Sequence, residues 1–130
     1  MATTYLDSSA IVKLAVREPE SDALRRYLRR RRSLISSALA RTEVLRALLP
    51  GGERALAAGR SVLSRINLVR VNDQVLSRAG TLSPVELRSL DAIHLATAER
   101  IGTDLGEIIS YDERMTTAAR QKGYAVASPR

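Results

Sequence analysis

Cysteine is absent and histidine occurs once, at position 94, so disulfides, thiolate zinc sites, thiol nucleophiles and a multi-histidine metal centre are all excluded within one chain. Any metal must then sit mainly on oxygen, which favours the hard cations Mg2+, Mn2+ or Ca2+. Phenylalanine and tryptophan are missing too. Four tyrosines are the whole aromatic content, which gives poor support to a base-stacking platform of the single-strand-binding kind. No apolar run approaches the roughly 20 residues of a membrane span, because Arg, Glu or Asp interrupts every few positions. The segment from Met1 to Asp7 has no basic stretch followed by an apolar one, so no secretory signal is expected and a cytoplasmic location is. Repeats and low-complexity tracts are lacking as well.

What remains is a chain of 130 residues, a size that closes one core and does not split comfortably into two, so a single domain over 1–130 is expected. The net charge of +7 points toward a polyanionic partner such as nucleic acid. All the basic residues except Lys13 and Lys122 are arginine, a bias that genome composition can also produce, so charge alone does not establish binding.

Along the chain, strands and helices alternate. Thr3–Leu6 reads as a strand that stops at Asp7-Ser8-Ser9, a plausible helix start before 10–16. Apolar spacing predicts a helix over 20–31, a strand over 33–36, helices over 38–48 and 53–64, a strand over 66–71 and a short helix over 73–79. Ser83-Pro84-Val85-Glu86 has the form of a capping box and predicts a helix toward Arg100, with a possible restart at Ser89. A strand over 107–111, a helix over 113–121 closed by Lys122-Gly123, and a last strand over 124–126 complete the series. The alternation implies βαβ units: an α/β fold with a mostly parallel sheet of four to five strands and helices on both faces.

Asp7 and Asp112 each stand directly after the apolar residues of a strand, where an open parallel sheet binds ligands. Each also precedes a helix and could be a plain N-cap. Asp91 lies on a helix stripe with Leu87, Leu95 and Ala98, so a cation, an arginine or a hydrogen-bond donor is expected beside it. Glu43 lies among Leu39, Ala40 and Ala47, with Arg46 one turn on offering a simple ion pair. Four converging carboxylates match the charge of two divalent cations. Such ions activate water and stabilise the leaving oxygen in phosphodiester hydrolysis without cysteine or histidine.

These residues resemble a known family, the PIN-domain ribonucleases, and within it the VapC-type toxins of toxin–antitoxin pairs. The resemblance is carried by four segments in the family's order, Tyr5 to Leu14, Ala40 to Ala47, Leu90 to Ala98, and Ile109 to Met115, and spans Leu6 to Gly123. It implies a PIN-like three-layer α/β/α fold. It implies an endoribonuclease dependent on Mg2+, with Mn2+ able to substitute, that cuts structured RNA such as transfer or ribosomal RNA. Asp7, Glu43, Asp91 and Asp112 carry over as the acidic metal cluster, with Asp7 and Asp91 as direct ligands and Glu43 and Asp112 acting through water or a second ion. Ser9 and Ser110 match hydroxyl positions that orient the site, Ser110 standing where the family often has Thr. The expected partners are an RNA substrate and a cognate antitoxin lying in a groove between the first two helices (Ile11, Leu14, Ala15, Leu24, Tyr27, Leu28), in a homodimer or a toxin–antitoxin hetero-oligomer.

His94 stands three residues after Asp91, a spacing that can hold a metal on one helix face, but a packed, hydrogen-bonded histidine is the commoner use and is the reading taken here. Arg29, Arg30, Arg31 and Arg32 read equally as an RNA clamp or as a solvated helix end. Two rivals remain. A receiver-like phosphoacceptor domain needs paired acids after the first strand and a lysine after the last, whereas Asp7 has no acidic neighbour and Lys122 precedes the final strand. A PIN-like module that binds RNA or protein without cutting would not need all four acids.

Overall fold

The computed structural model describes residues 2–130. Five strands, β1 (Thr3–Leu6), β2 (Leu34–Ser37), β3 (Asn67–Val69), β4 (Leu105–Ile109) and β5 (Val126–Ala127), pair in parallel in the order β3-β2-β1-β4-β5. The connections are helical: α1 (Ser8–Ala15), α2 (Ser21–Leu28), α3 (Ala40–Leu48), α4 (Glu53–Leu63), α5 (Asp73–Gly80), α6 (Ser89–Ile101) and α7 (Glu113–Gln121). This is the α/β/α architecture implied by the alternation of elements.

Period-two alternation of the strands builds a core on each face of the sheet. Tyr5 and Ile108 face one side, where they pack with Leu95 of α6 and Met115 and Ala119 of α7. Leu6 and Ile109, their chain neighbours, face the other and pack with Ile11, Leu24, Val44 and Val62 from α1 to α4. Each large side chain fully withdrawn from water contributes about 2 kcal/mol. Gly59 lets α4 approach α3 closely, since a Cβ there would lie 2.6 Å from Leu48 Cδ1. That contact fixes the helix that carries Glu43.

Three sequence expectations are corrected. The capping box at Ser83 starts no helix: residues 83–88 form an irregular segment with a turn in which the Leu87 N–H donates to the Pro84 carbonyl at 3.0 Å, and α6 begins at Ser89. Leu82 and Leu87 both pack onto the core under α6, and a helix would turn residues five apart toward different sides. The helix expected over 20–31 is shorter, Ser21–Leu28, so the arginine run falls outside it. The groove expected between the first two helices is also smaller, because Ile11, Leu24 and Leu28 are buried in the core.

Candidate active site

Strand order reverses direction between β1 and β4, and the crevice outside the carboxyl ends of strands at such a switch point is the usual ligand site of open parallel sheets. Leu6 pairs with Ile109, and the Asp7 N–H donates to the Ile109 carbonyl at 3.2 Å, so Asp7 and Ser110 emerge side by side. Asp7 is 4 % exposed and caps α1. Its Oδ1 accepts from the Ala10 N–H at 3.1 Å and the Ser9 hydroxyl at 2.6 Å, and its Oδ2 accepts from the Ser110 hydroxyl. Burial pushes its pKa above the ordinary carboxylate value, against the opposing pull of His94 and these hydrogen bonds.

Asp112 reaches the same edge from β4 and caps α7, its Oδ1 accepting the N–H groups of Arg114 at 2.9 Å and Met115 at 3.4 Å. Both aspartates are therefore N-caps as well as members of one cluster, and the two readings of them are compatible. Ser9 and Ser110 tie the two strand ends together. The Ser9 oxygen donates to Asp7 and accepts the Tyr111 N–H at 2.9 Å, and the Ser110 oxygen accepts the Asp112 N–H at 3.1 Å.

Glu43 enters from α3. Its partner is not Arg46: Oε1 accepts from the Ser8 hydroxyl at 2.5 Å and lies 2.7 Å from Nε2 of His94. Burial raises the Glu43 carboxyl, but the bonds from His94 and Ser8 outweigh it and hold the group below its usual range. His94, 2 % exposed, spends its other nitrogen on the Tyr5 hydroxyl at 2.7 Å. With both ring nitrogens engaged it is the packed, bonded histidine expected, and it is not placed as a metal ligand. Ser8 and Tyr5 went unnoticed as site residues in the sequence. Ser8 looks like one more hydroxyl at a helix start, and Tyr5 like an ordinary aromatic in a buried strand.

Asp91, half-buried in the first turn of α6, is the exception in this network: among the described residues no side-chain donor meets its carboxylate. Among the described residues the arginine or donor expected beside it is absent. Burial raises its pKa most, and the fields of Asp112, Asp7 and Glu43 raise it further against the opposing pull of His94. Asp91 thus stands in the field of the other three acids at one crevice. Among the described residues no three of them are posed as direct ligands of a single ion.

The arginine run lies elsewhere. Arg29 to Arg32 precede β2 at the amino-terminal edge of the sheet, where Ser33 pairs with Thr3 and Thr4 at the start of β1, opposite the acids. Arg31 is committed there: it donates to Glu107, stacks 3.7 Å from the Tyr27 ring centroid and donates to the Tyr27 carbonyl at 2.6 Å. Tyr27 and Thr4 also donate to Glu107, and these bonds outweigh its burial and keep the carboxyl below the usual range. Arg29, Arg30 and Arg32 are exposed.

The PIN domain family matches residues 4–121. Ribonuclease VapC46 of Mycobacterium tuberculosis is 64% identical over 129 residues, covering 99% of both chains. Ribonuclease VapC35 of the same organism is 41% identical over 129 residues, covering 96% of both. Among solved structures, Mycobacterium tuberculosis VapC20, a sarcin–ricin loop cleaving toxin, superposes with a TM-score of 0.79 at 16% identity, covering 98% of this chain and 100% of that one. A toxin–antitoxin complex from Klebsiella pneumoniae matches with a TM-score of 0.72 at 19% identity, covering 98% of each chain. These two structures speak to the fold alone. With the family matched across nearly the whole chain and the full-length relatives all ribonucleases, the chain belongs to the PIN-domain family and, within it, to the VapC ribonucleases.

Proposed function

We propose that the chain is the toxin of a toxin–antitoxin pair, an Mg2+-dependent endoribonuclease that cuts structured cellular RNA of the transfer or ribosomal kind. The observation that carries this reading is Asp91: a half-buried carboxylate without a protein donor, in the field of three other carboxylates. Such a group calls for a cation. The donor set fits a hard one, being all oxygen, with Asp7 and Asp91 as the direct ligands and Glu43 and Asp112 reaching it through water. A divalent cation bound there activates water and neutralises charge developing on the phosphate.

The protein's own part is positional. Ser9 and Ser110 fix Asp7 against the strand ends, Ser110 also holds the loop of Asp112, and α1 and α7 direct their N-termini at the crevice, which favours an anionic substrate there. The excess of arginine attracts the RNA backbone. For the antitoxin, a cleft of about 240 Å³ beside α1, α2 and α4 has Leu14, Leu28 and Leu34 as its floor and Arg25, Arg29 and Arg65 on its rim. An acidic, amphipathic segment complements it. From Leu14 to Asp7 is about 10 Å along α1, short enough for the same segment to bring a basic side chain to the acids.

Incubation of the purified chain with total cellular RNA, in chelator and then with Mg2+ or Mn2+, followed by sequencing of new 5′ ends, tests the reading. Metal-restored cuts clustered in transfer or ribosomal RNA are expected. Undiminished cutting in chelator, or intact RNA throughout, would overturn it.

A further inference from the structure

We propose that His94 is a positioning residue for RNA hydrolysis, holding Glu43 through a buried chain that runs from Tyr5 on β1 to the acid crevice. The inference rests on the reading of Glu43 as a member of the working acid cluster.

The direction of the bond to Glu43 is fixed. Glu43, held in its ionised form, only accepts, so the His94 nitrogen 2.7 Å from it is an N–H donor. The other ring nitrogen, Nδ1, is paired with the Tyr5 hydroxyl at 2.7 Å. The order in space is Tyr5 hydroxyl, His94 ring, Glu43 Oε1.

Each member is anchored by packing. Tyr5 is fully buried in a central strand, and its ring meets the imidazole edge-on, with centroids 5.9 Å apart. His94 is itself buried on α6 and is followed in sequence by the buried Leu95 and Ala96. Glu43, by contrast, sits on a half-exposed face of α3 with a side chain of three rotatable bonds, and without a fixed donor its carboxylate would sample several rotamers. The Ser8 hydroxyl, 2.5 Å from Glu43 and 3.4 Å from His94 Nε2, closes the arrangement at the first turn of α1, one residue from Asp7. His94 therefore links the sheet to a cluster acid that the strand ends do not fix themselves. Residues that orient ligands in this way typically matter by 10- to 100-fold although they touch neither metal nor substrate.

The test separates orientation from mere packing. His94→Gln can keep an N–H pointing at Glu43, whereas His94→Asn is too short to reach it. Single-turnover cleavage should fall about 10- to 100-fold in His94→Asn with KM for RNA unchanged, and stay within about threefold of wild type in His94→Gln. Tyr5→Phe, which keeps the packing and removes only the phenol hydroxyl, should lower the rate by several fold and covers the case in which His94→Asn fails to fold. In a Glu43→Ala background, His94→Asn should have no further effect, because it acts through Glu43. Equal losses in His94→Gln and His94→Asn that track their melting temperatures, or additivity of His94→Asn with Glu43→Ala, would overturn the assignment while leaving the nuclease reading intact. A fully active Glu43→Ala protein would take down both.

Discussion

Ser110 joins the two aspartates of the strand ends through one oxygen, donating to Asp7 across the β1–β4 seam and accepting the backbone N–H of Asp112 on its own loop. Removing the hydroxyl releases both acids at once. Ser110→Ala is expected to lower single-turnover cleavage roughly 10- to 100-fold, and Ser110→Thr, which keeps the hydroxyl, to retain most of it. A Ser110→Ala protein with wild-type rate would show that the two acids hold their places without it.

Asp7 is buried and its pKa is raised, so in the folded chain its ionised form is disfavoured relative to the unfolded chain. The stability associated with its protonated form is fully present below the unfolded carboxyl pKa of about 3.9 and is lost as pH rises through the folded value. Asp7→Asn retains a capping side chain but cannot ionise. Its melting temperature should match wild type in acid and exceed it at neutral pH by roughly 2–5 °C, while cleavage is abolished. Asp91→Asn should behave in the same sense, more weakly, since Asp91 is half in solvent. Loss of both stability and activity at pH 7 would mean that the variant simply misfolds and that Asp7 is a structural cap.

The acids and the arginine run occupy opposite edges of the sheet, whereas Arg88 and Arg114 stand at the N-termini of α6 and α7, close in sequence to Asp91 and Asp112. Both are exposed, and on the proposed function they are the basic residues expected to meet an RNA backbone at the crevice. Replacing Arg88 and Arg114 by Ala should reduce the salt slope of RNA binding by roughly two units, and replacing Arg30 and Arg32 should leave it unchanged. The reverse pattern would restore the run to the role of RNA clamp.

Arg25 and Arg65 line the same cleft as Leu14, Leu28 and Leu34, and none of these is among the four acids or their hydrogen-bond partners. Replacement of the two arginines by Glu should weaken co-purification with the product of the adjacent open reading frame by at least tenfold and leave RNA cleavage by the free chain unaltered. Retained binding would place the antitoxin elsewhere.

Much of this was legible in the residues. Strands that end on aspartate marked Asp7 and Asp112, and an aspartate on an otherwise apolar helix stripe marked Asp91, whereas Glu43 joined them only through the family resemblance. The sequence was silent on partners that depend on which elements cross. Arg46, one turn from Glu43, was the local candidate, yet α6 brings His94 and α1 brings Ser8 to that place. The same is true of Arg31, an unremarkable member of a basic run until Glu107, seventy-six residues away, claims it. The misread helix start at Ser83 failed for a similar reason: local capping chemistry gave way to the need to bury Leu82 and Leu87 together.

The segment after β5 matters for the acid crevice. The Ser128 hydroxyl donates to the Ser110 carbonyl at 2.5 Å, and the Tyr111 hydroxyl to the Pro129 carbonyl at 2.7 Å, so the loop bearing Asp112 is pinned from 128–129. Two contacts that carry no charge thus hold a charged group in place, and a change at Ser128 reaches the crevice without touching a carboxylate.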